Sequence, residues 1–508
     1  MPIQRIRHTG PSSSTPVIAM DETTFSSSSM YSSGEEEILA SEGLRLSRST
    51  RWRERSRHVS YEPAVLLFCF ALSLSEIELT HQIIYQTCQV QGFELHDCLL
   101  VGTGVSTPGV AEIEAQVKPA AATVTTTIVV IKAVIPAFSA IVFGAWSDRY
   151  GRKPVVVIAS FGLLFSYVGL AGLHYLSSFM QLNSWYYVAA YIPFSVVGGM
   201  ATLGAALFAF IADVTNDQNR TVRMGWMNAF MLAGTLAGFC SSKYILDWTS
   251  TTTFFVIATI CVLLGLLYTA LLVEDSIIPS SDGELGPSLG EFFSISLVRD
   301  IAKAASRKRT RFVWWILWLI IFCNALIELA AGGSLVEFSF IHHKFDWSLM
   351  QYNHFVLIER GLAVLANVVG ILVLKRLFEW TDTVVALVSI ISYIAGSTTK
   401  GFAAEGWQFY LACGLSSLKG MEWIALLSVS TYFLPSNEIA KFYALAFSLI
   451  GLIPLASPYL FGYVYEATES SGPEMYNFVA AGIYSLGFLI LGLIQWLVNR
   501  RNQPELLL

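Results

Sequence analysis

The ten residues GAWSDRYGRK, which run from Gly144 to Lys153, join two apolar blocks of this chain. The flanking blocks, 121–146 and 154–175, are long enough to cross about 30 Å of hydrocarbon as α-helices. Glycine permits tight turns and close backbone approach, which suits a turn at Gly151 and a helix contact at Gly144. Asp148 is suited to pairing with an arginine or to facing a helix N-terminus. The stretch therefore predicts a charged turn between two membrane helices.

Blocks of this kind recur along the chain. Of its 508 residues, 54% are hydrophobic and 13% charged, whereas a soluble chain carries about 25% charged residues. A polar segment, 274–311, separates six blocks from six, which predicts an all-α membrane protein with 12 transmembrane helices in two six-helix bundles, 62–273 and 312–498. We number the blocks spans 1 to 12; they occupy residues 63–85, 121–146, 154–175, 185–212, 222–245, 252–273, 312–336, 350–374, 381–401, 406–434, 440–463 and 475–498.

Basic residues set the predicted orientation, because Lys and Arg accumulate on the cytosolic side of membrane proteins. They cluster before span 1, after spans 2, 4 and 8, in the central linker and after span 12. The opposite segments hold four lysines, at positions 118, 243, 344 and 400. We therefore expect both termini and the linker 274–311 to lie in the cytosol, in a plasma-membrane or endolysosomal protein. Residues 1–61 are rich in Ser and Arg, which predicts a disordered tail, and 499–508 form a second cytosolic tail.

The turn resembles the signature G-x-x-x-D-R-x-G-R-R/K of the major facilitator superfamily, in the loop where that superfamily carries it. An ordinary cytosolic loop rich in Arg and Lys is the alternative, but the spacing and the six-plus-six count favour the family. The resemblance implies a secondary transporter in which this turn gates the cytosolic face. The matching positions are Gly144, Asp148, Arg149, Gly151, Arg152 and Lys153.

Charged residues inside the spans are the candidate substrate and coupling residues, because each costs at least about 2.5 kcal/mol in hydrocarbon. Three cations, Lys132, Arg360 and Lys419, favour an anionic solute. Glu328 precedes an Ala-Ala-Gly-Gly stretch, which predicts an unwound segment of the kind that lines transporter sites. Glu76 is a further candidate, with an interfacial position as its alternative.

Two neighbouring pairs of charges have simpler interpretations. Lys419 and Glu422 are three residues apart, so they either neutralise each other or contribute separately to a site. Glu359 and Arg360 are adjacent and point in different directions, so at least one should meet a partner. Spans 3, 6, 9, 11 and 12 hold no charge in their interiors, as expected for spans away from the central cavity of the superfamily; spans 3, 6, 9 and 12 are its lipid-facing helices.

Several segments more closely resemble solute carrier family 46, which contains the proton-coupled folate transporter. The resemblance covers about residues 62–498 and implies uptake of bulky, mostly anionic solutes: folates, haem, cyclic dinucleotides or muropeptides. It also implies proton symport in at least the folate member, but the family's coupling carboxylate in span 5 is matched here by Asn228, which cannot titrate. The segments are EP (62–63), LTHQIIY (79–85), ADVT (212–215), NRTVRM (219–224), FDW (345–347), PSNE (435–438), KFYAL (441–445) and VYEAT (464–468).

The remaining sequence features limit the other classes of function. Cys88 and Cys98 follow span 1 on the predicted outer, oxidising side, as either a disulfide or two free thiols. The sequence contains no metal-ligand cluster, nucleophile elbow or phosphate-binding loop, so we predict neither an enzyme nor a cofactor. The expected partners are the lipid bilayer, a small organic solute and, as candidate driving ion, protons, with no nucleic acid. A non-transporting receptor with the same fold is the alternative, although a receptor has no need of costly intramembrane charges.

Overall fold

The computed structural model describes residues 60–101, 108–276 and 311–501. The predicted N-terminal tail, 1–61, therefore lies outside the described residues except for its last two positions. Most of the predicted linker and the end of the predicted C-terminal tail also lie outside them. Within the described ranges the chain forms helices joined by short turns, without strands.

All twelve predicted spans are helical. Among the described residues, ten helical segments are long and apolar enough to cross a membrane, and spans 4 and 10 supply the shorter apolar helices Gly199–Val214 and Met421–Thr431. The first half consists of Glu62–Val90, Pro108–Tyr150, Arg152–Ser177, Tyr186–Ala190 with Ile192–Val196 and Gly199–Val214, Asp217–Trp248 and Thr251–Leu271. The second half consists of Arg311–Ala331 with Ser334–Phe345, Leu349–Leu372 with the π-helical turn Val373–Leu377, Asp382–Gly401, Trp407–Leu415 with Met421–Thr431, Ile439–Ile450 with Ile453–Thr468, and Met475–Arg501.

Several spans extend beyond the predicted limits. The helix of span 1 continues to Val90, and that of span 2 begins at Pro108. The helix of span 12 reaches Arg501, inside the segment predicted as a tail. Beyond span 1, Cys88 and Cys98 form a disulfide with Cα atoms 5.6 Å apart, which ties the short helix Leu95–Leu100 to the end of that span.

The fourth span of each half is interrupted at glycine. Gly198 in span 4 and Gly420 in span 10 have φ values of +87° and +89°, a left-handed conformation that residues with a Cβ rarely adopt. Span 7 is also interrupted, at Gly332 and Gly333, where the sequence predicts an unwound segment. Interrupted helices in corresponding positions of two transporter halves mark the region of a binding site.

The two halves meet along two seams. Span 2 packs against span 11, which also contacts span 4, and span 5 packs against spans 8 and 10. Within the first half, span 1 packs against spans 5 and 6. Within the second, span 12 packs against spans 7 and 9. We call the end of the protein that carries the turn 144–153 the motif end. The space between the two seams holds the candidate site.

Candidate functional site

Asp148, in the turn between spans 2 and 3, binds the other half of the protein. Its Oδ1 accepts a hydrogen bond from the Ala440 backbone N–H at 3.2 Å, and its Oδ2 accepts one from the Lys441 N–H at 2.9 Å. Both donors belong to the first turn of Ile439–Ile450, where unpaired N–H groups and the helix dipole favour a negative charge. A carboxylate of the first half therefore caps a helix of the second half.

Arg152 completes this contact as a fully buried cation. Its Nη1 donates to Asp148 Oδ1 at 2.5 Å and its Nε donates to Asp213 Oδ2 at 2.9 Å. Its Nη2 donates to the Ser436 carbonyl oxygen of the second half at 3.3 Å. We call Asp148, Arg152 and Asp213 the latch. Separating a buried cation from its carboxylates leaves uncompensated charges, so Arg152 holds Asp148 and Asp213 in place.

The glycines of the turn permit this geometry, whereas two of its cations stay outside it. A Cβ at Gly144 would lie 2.9 Å from the Ala440 carbonyl oxygen, so a side chain there would separate spans 2 and 11. Gly151 has a φ of +116°, which favours glycine. Arg149 is exposed and stacks on Tyr150 at 5.2 Å, and Lys153 is half-buried, so neither belongs to the latch.

A second cluster closes the other seam at the motif end. Asp382, at the start of span 9, accepts hydrogen bonds from Thr221 of span 5 at 2.6 Å and from Lys375 of span 8 at 2.5 Å. Ser428 and Tyr432 of span 10 donate to its other oxygen, both at 2.9 Å. This cluster was not predicted from the sequence, although a Lys-Arg pair followed by Asp between spans 8 and 9 parallels the turn between spans 2 and 3.

Two adjacent cavities lie between the seams. The central cavity has a volume of about 490 Å³ and is lined by both halves, including Lys132, Glu328 and Glu422. The polar pocket has a volume of about 410 Å³ and is lined mainly by the second half, with Asn228 of span 5 on its wall. The residues common to both linings are Ala331, Tyr393, Gly420 and Trp423.

The central cavity contains charges without ion-pair partners. Lys132 lies deep in span 2, yet its side chain is accessible because it faces the cavity. Its Nζ lies 5.1 Å from the centre of the Tyr191 ring, and Glu76 is the carboxylate that acts on it electrostatically. Glu328 of span 7 is likewise accessible. Among the residues that the structure describes, no opposite charge lies within 4 Å of Lys132 or Glu328.

The polar pocket contains a row of alternating charges, which we call the charge ladder. Lys400 Nζ lies 2.5 Å from Glu337 Oε1 and 3.3 Å from Glu359 Oε1. Lys419 Nζ lies 2.7 Å from the same Glu359 oxygen. The four side chains come from spans 7, 8, 9 and 10. Two acids and two bases thus neutralise one another at the wall of the pocket.

The ladder decides the alternatives that the sequence left open. Lys419 pairs with Glu359 across two spans, which excludes neutralisation by Glu422, one of the two alternatives for Lys419. The break at Gly420 separates the two residues, and Glu422 accepts hydrogen bonds from Ser389 and Tyr393 instead. Glu359 is the member of the adjacent Glu-Arg pair that meets partners.

Arg360, the other member of that pair, faces the polar pocket. Its side chain is exposed there, and its guanidinium carbon lies 5.7 Å from the centre of the Phe239 ring of span 5. No carboxylate in the described parts of the chain lies within 4 Å of Arg360. Arg360 and Lys132 are thus free cations that face adjacent cavities from opposite halves.

The sequence did not indicate that Lys400, at the end of span 9, belongs to the candidate site. The residue was assigned to an outer segment because it stands at the end of an apolar block, but its side chain is 12% exposed within the ladder. Glu337 was missed for the same reason, because span 7 continues through Ser334–Phe345 past the predicted limit. A Glu in an otherwise apolar stretch was the signal that could have found it.

Comparison with known proteins agrees with this architecture. The family model described as Major Facilitator Superfamily matches residues 98–458. This chain belongs to the major facilitator superfamily. It is accordingly a multi-pass membrane transporter by family and not an enzyme.

Individual relatives indicate which family within the superfamily the chain resembles. The chain is 30% identical over 451 residues to the probable peptidoglycan muropeptide transporter of solute carrier family 46 from Drosophila melanogaster, covering 87% of this chain and 86% of the relative. It is 27% identical to the proton-coupled folate transporter of Bos taurus, covering 70% and 75%. The crystal structure of the human organic anion transporter MFSD10 shares the fold with a TM-score of 0.63 at 14% identity, covering 85% and 97%. The resemblance to solute carrier family 46 is therefore confirmed.

Proposed function

We propose that this transporter carries a bulky organic anion by alternating access, with a peptidoglycan muropeptide as the first candidate. The observation that carries the proposal is the pair of free cations, Lys132 and Arg360, which face adjacent cavities from opposite halves. Leaving a cation without a partner inside a membrane protein is costly, and the anion that neutralises it recovers part of that cost.

The shape and lining of the site support a large solute. The two cavities measure about 490 and 410 Å³ and adjoin at Trp423. A muropeptide combines carboxylates, which suit the two cations, with sugar rings, which pack well on an aromatic side chain. The name of the relative from Drosophila melanogaster supports this class, whereas folates, haem and cyclic dinucleotides are the competing solutes to be tested.

The latch supports the cycle that we propose. The hydrogen bonds found between the two halves within the described residues all lie at the motif end, where Asp148 and Asp382 each bind the opposite half. We take this end to face the cytosol, so that both termini do so too, in a plasma or endolysosomal membrane. Release of solute into the cytosol then requires both contacts to break while the halves rock apart.

The test is uptake of a labelled disaccharide muropeptide by cells that express the full chain at their surface. Labelled folate, haem and a cyclic dinucleotide serve as competing solutes, each at neutral and at acidic external pH. Saturable uptake of the muropeptide supports the proposal, and stimulation by acid adds protons as the driving ion. Absence of uptake for all four solutes, with the protein confirmed at the surface, contradicts the proposed substrate class and favours a receptor.

A further inference from the structure

Glu422 is a buried carboxyl group directly beyond the break in span 10. It is 3% exposed, and its Oε2 lies 2.6 Å from Ser389 Oγ and 2.9 Å from the Gly420 backbone N–H. Its Oε1 lies 3.2 Å from the Tyr393 hydroxyl. In the described ranges no Lys, Arg or His lies within ion-pair distance of it, in contrast to the acids of the ladder. A buried carboxylate without a cation is costly, so this group requires an explanation.

The explanation lies in the number of hydrogen atoms available to Ser389. Its Oγ lies 2.8 Å from the Leu418 carbonyl oxygen as well as 2.6 Å from Glu422 Oε2. A serine hydroxyl has one hydrogen and cannot donate to both oxygens at once. When Glu422 is ionised, Ser389 serves either the carboxylate or the Leu418 carbonyl, and the other acceptor loses this donor.

Protonation of Glu422 removes the conflict. Glu422 then donates from Oε2 to Ser389 Oγ, and Ser389 donates to the Leu418 oxygen, so that both hydrogen bonds form together. Leu418 lies between the two helices of span 10, Trp407–Leu415 and Met421–Thr431, where backbone carbonyls lack helical donors. The proton on Glu422 is thereby linked to the interrupted part of this span.

The ionised form of Glu422 also has hydrogen-bond donors, so the carboxyl group can both bind and release a proton. The Gly420 N–H and the Tyr393 hydroxyl donate to the carboxylate, and the group stands in the first turn of Met421–Thr431, where a negative charge is favourable. Glu422 lines the central cavity, so water there supplies and accepts the proton.

We propose that Glu422 is the proton-binding site of this transporter and that Ser389 relays its protonation state to the break in span 10. The inference rests on the proposed function, because only a carrier has a transport cycle to couple. It assigns the role to span 10 of the second half, while position 228 of span 5 holds an asparagine that cannot exchange a proton.

The groups around Glu422 determine how it responds to pH. Span 9 contributes Ser389 and Tyr393, span 12 contributes Tyr484 and span 7 contributes Cys323. Span 5 places Arg220 at the far end of the half-helix, where it binds Thr431. Glu328 of span 7 lines the same central cavity. Glu328 is the other carboxyl group of this set, but it is accessible in the cavity and has no hydrogen bond to the span 10 break. It is therefore the matched control for Glu422.

The first experiment measures the proton directly on the full-length protein in lipid. Infrared difference spectra recorded across a pH titration should contain one carbonyl band of a protonated carboxylic acid that is missing in Glu422→Gln and present in Glu328→Gln. Ser389→Ala should retain the band but shift it to higher frequency, because the acid loses its hydrogen-bond acceptor. If Glu422→Gln retains every acid band of the unaltered protein, the inference is overturned, even if the transporter carries no muropeptide.

The second experiment uses uptake of labelled muropeptide with and without an inward pH gradient. Glu422→Gln carries an amide that mimics the protonated acid, so it should exchange solute across the membrane but lose stimulation by the gradient. Retained stimulation in Glu422→Gln overturns the inference while leaving the proposed function intact. If Glu422→Gln does not reach the membrane, Ser389→Ala decides, because an unshifted band and unchanged gradient stimulation contradict the relay.

Discussion

The latch and the charge ladder are both networks of alternating buried charges, but they relate differently to the two halves of the protein. The latch lies in the first half and binds the second through Ala440, Lys441 and Ser436. The ladder lies within the second half, where spans 7, 8, 9 and 10 supply all four charges. One network therefore joins the two halves, and the other lies within one of them.

This difference indicates what each network contributes to transport. A contact that exists in only one conformation shifts the equilibrium between conformations. In the proposed cycle the latch is such a contact, because it breaks when the halves separate. A contact inside one rigid half is the same in every conformation and cannot shift that equilibrium. We therefore expect the latch to control opening at the motif end and the ladder to fix the shape and charge of the polar pocket.

The largest loss of thermal stability and uptake is expected for Arg152→Ala, which leaves Asp148 and Asp213 buried without their cation. Breaking a buried ion pair from one side costs about 3–5 kcal/mol, so thermal stability and uptake should both fall strongly. Thermal unfolding of the purified protein, with Lys153→Ala as control, measures the change. Lys153 lies in the same turn outside the latch, and equal losses in the two variants would show that the latch is not a distinct structure.

The next largest loss of thermal stability is expected for Lys400→Met, because this substitution removes the ladder's central cation from between Glu337 and Glu359. Each lost hydrogen bond to a charged group costs about 1.5–3 kcal/mol, and adding Glu337→Gln should restore part of the loss.

Spin labels on cysteines placed at Arg149 and Asn437, in a background without the free cysteines, report the opening of the motif end. Their distance should increase in Asp148→Asn and stay constant in Lys400→Met; an increase in both would remove the distinction between the networks.

Loss of either free cation should weaken solute binding without affecting either network. Lys132→Ala and Arg360→Ala should each raise the KM for the anionic solute about tenfold, which corresponds to about 1.4 kcal/mol. Arg376→Ala is the control, because Arg376 is an exposed arginine of span 8 outside both cavities. A KM that is unchanged in both variants contradicts the anion site.

The smallest expected effect is the change in the spin-label distances when one hydrogen bond to Asp382 is lost. It tests most directly whether contact between the halves controls opening at the motif end. Thr221 and Ser428 each donate one hydrogen bond to this carboxylate, but Thr221 belongs to the first half and Ser428 to the second. A hydrogen bond to a charged group is usually worth about 1.5–3 kcal/mol, but three other donors remain on this carboxylate, so we expect a loss of about 1 kcal/mol. Thr221→Val should therefore shift the spin-label distances toward the open state, whereas Ser428→Ala should not. Equal shifts in the two variants would show that the stability of the protein, and not the contact between its halves, sets the equilibrium between the closed and open states.

The sequence located some parts of the candidate site and missed others for physical reasons. Lys132, Glu328 and Arg360 were found because a charge deep inside an apolar block has few structural explanations. Lys400 and Glu337 were missed because residues at the ends of such blocks usually face water. The pairing of Lys419 stayed open because spacing along one helix predicts neighbours only if the helix continues, and span 10 is interrupted at Gly420.

The sequence by itself determined the family, the twelve spans and their division into two halves, because these follow from segment length, hydropathy and the spacing of a local turn. It also determined that the first turn carries a charged motif. Only the tertiary structure decided which charges are paired, since the ladder joins four spans that are distant along the chain. It also decided that Asp148 caps a helix of the opposite half and that Ser389 lies between Glu422 and Leu418. Such partners are set by how helices pack, and the order of residues within any one helix does not contain that information.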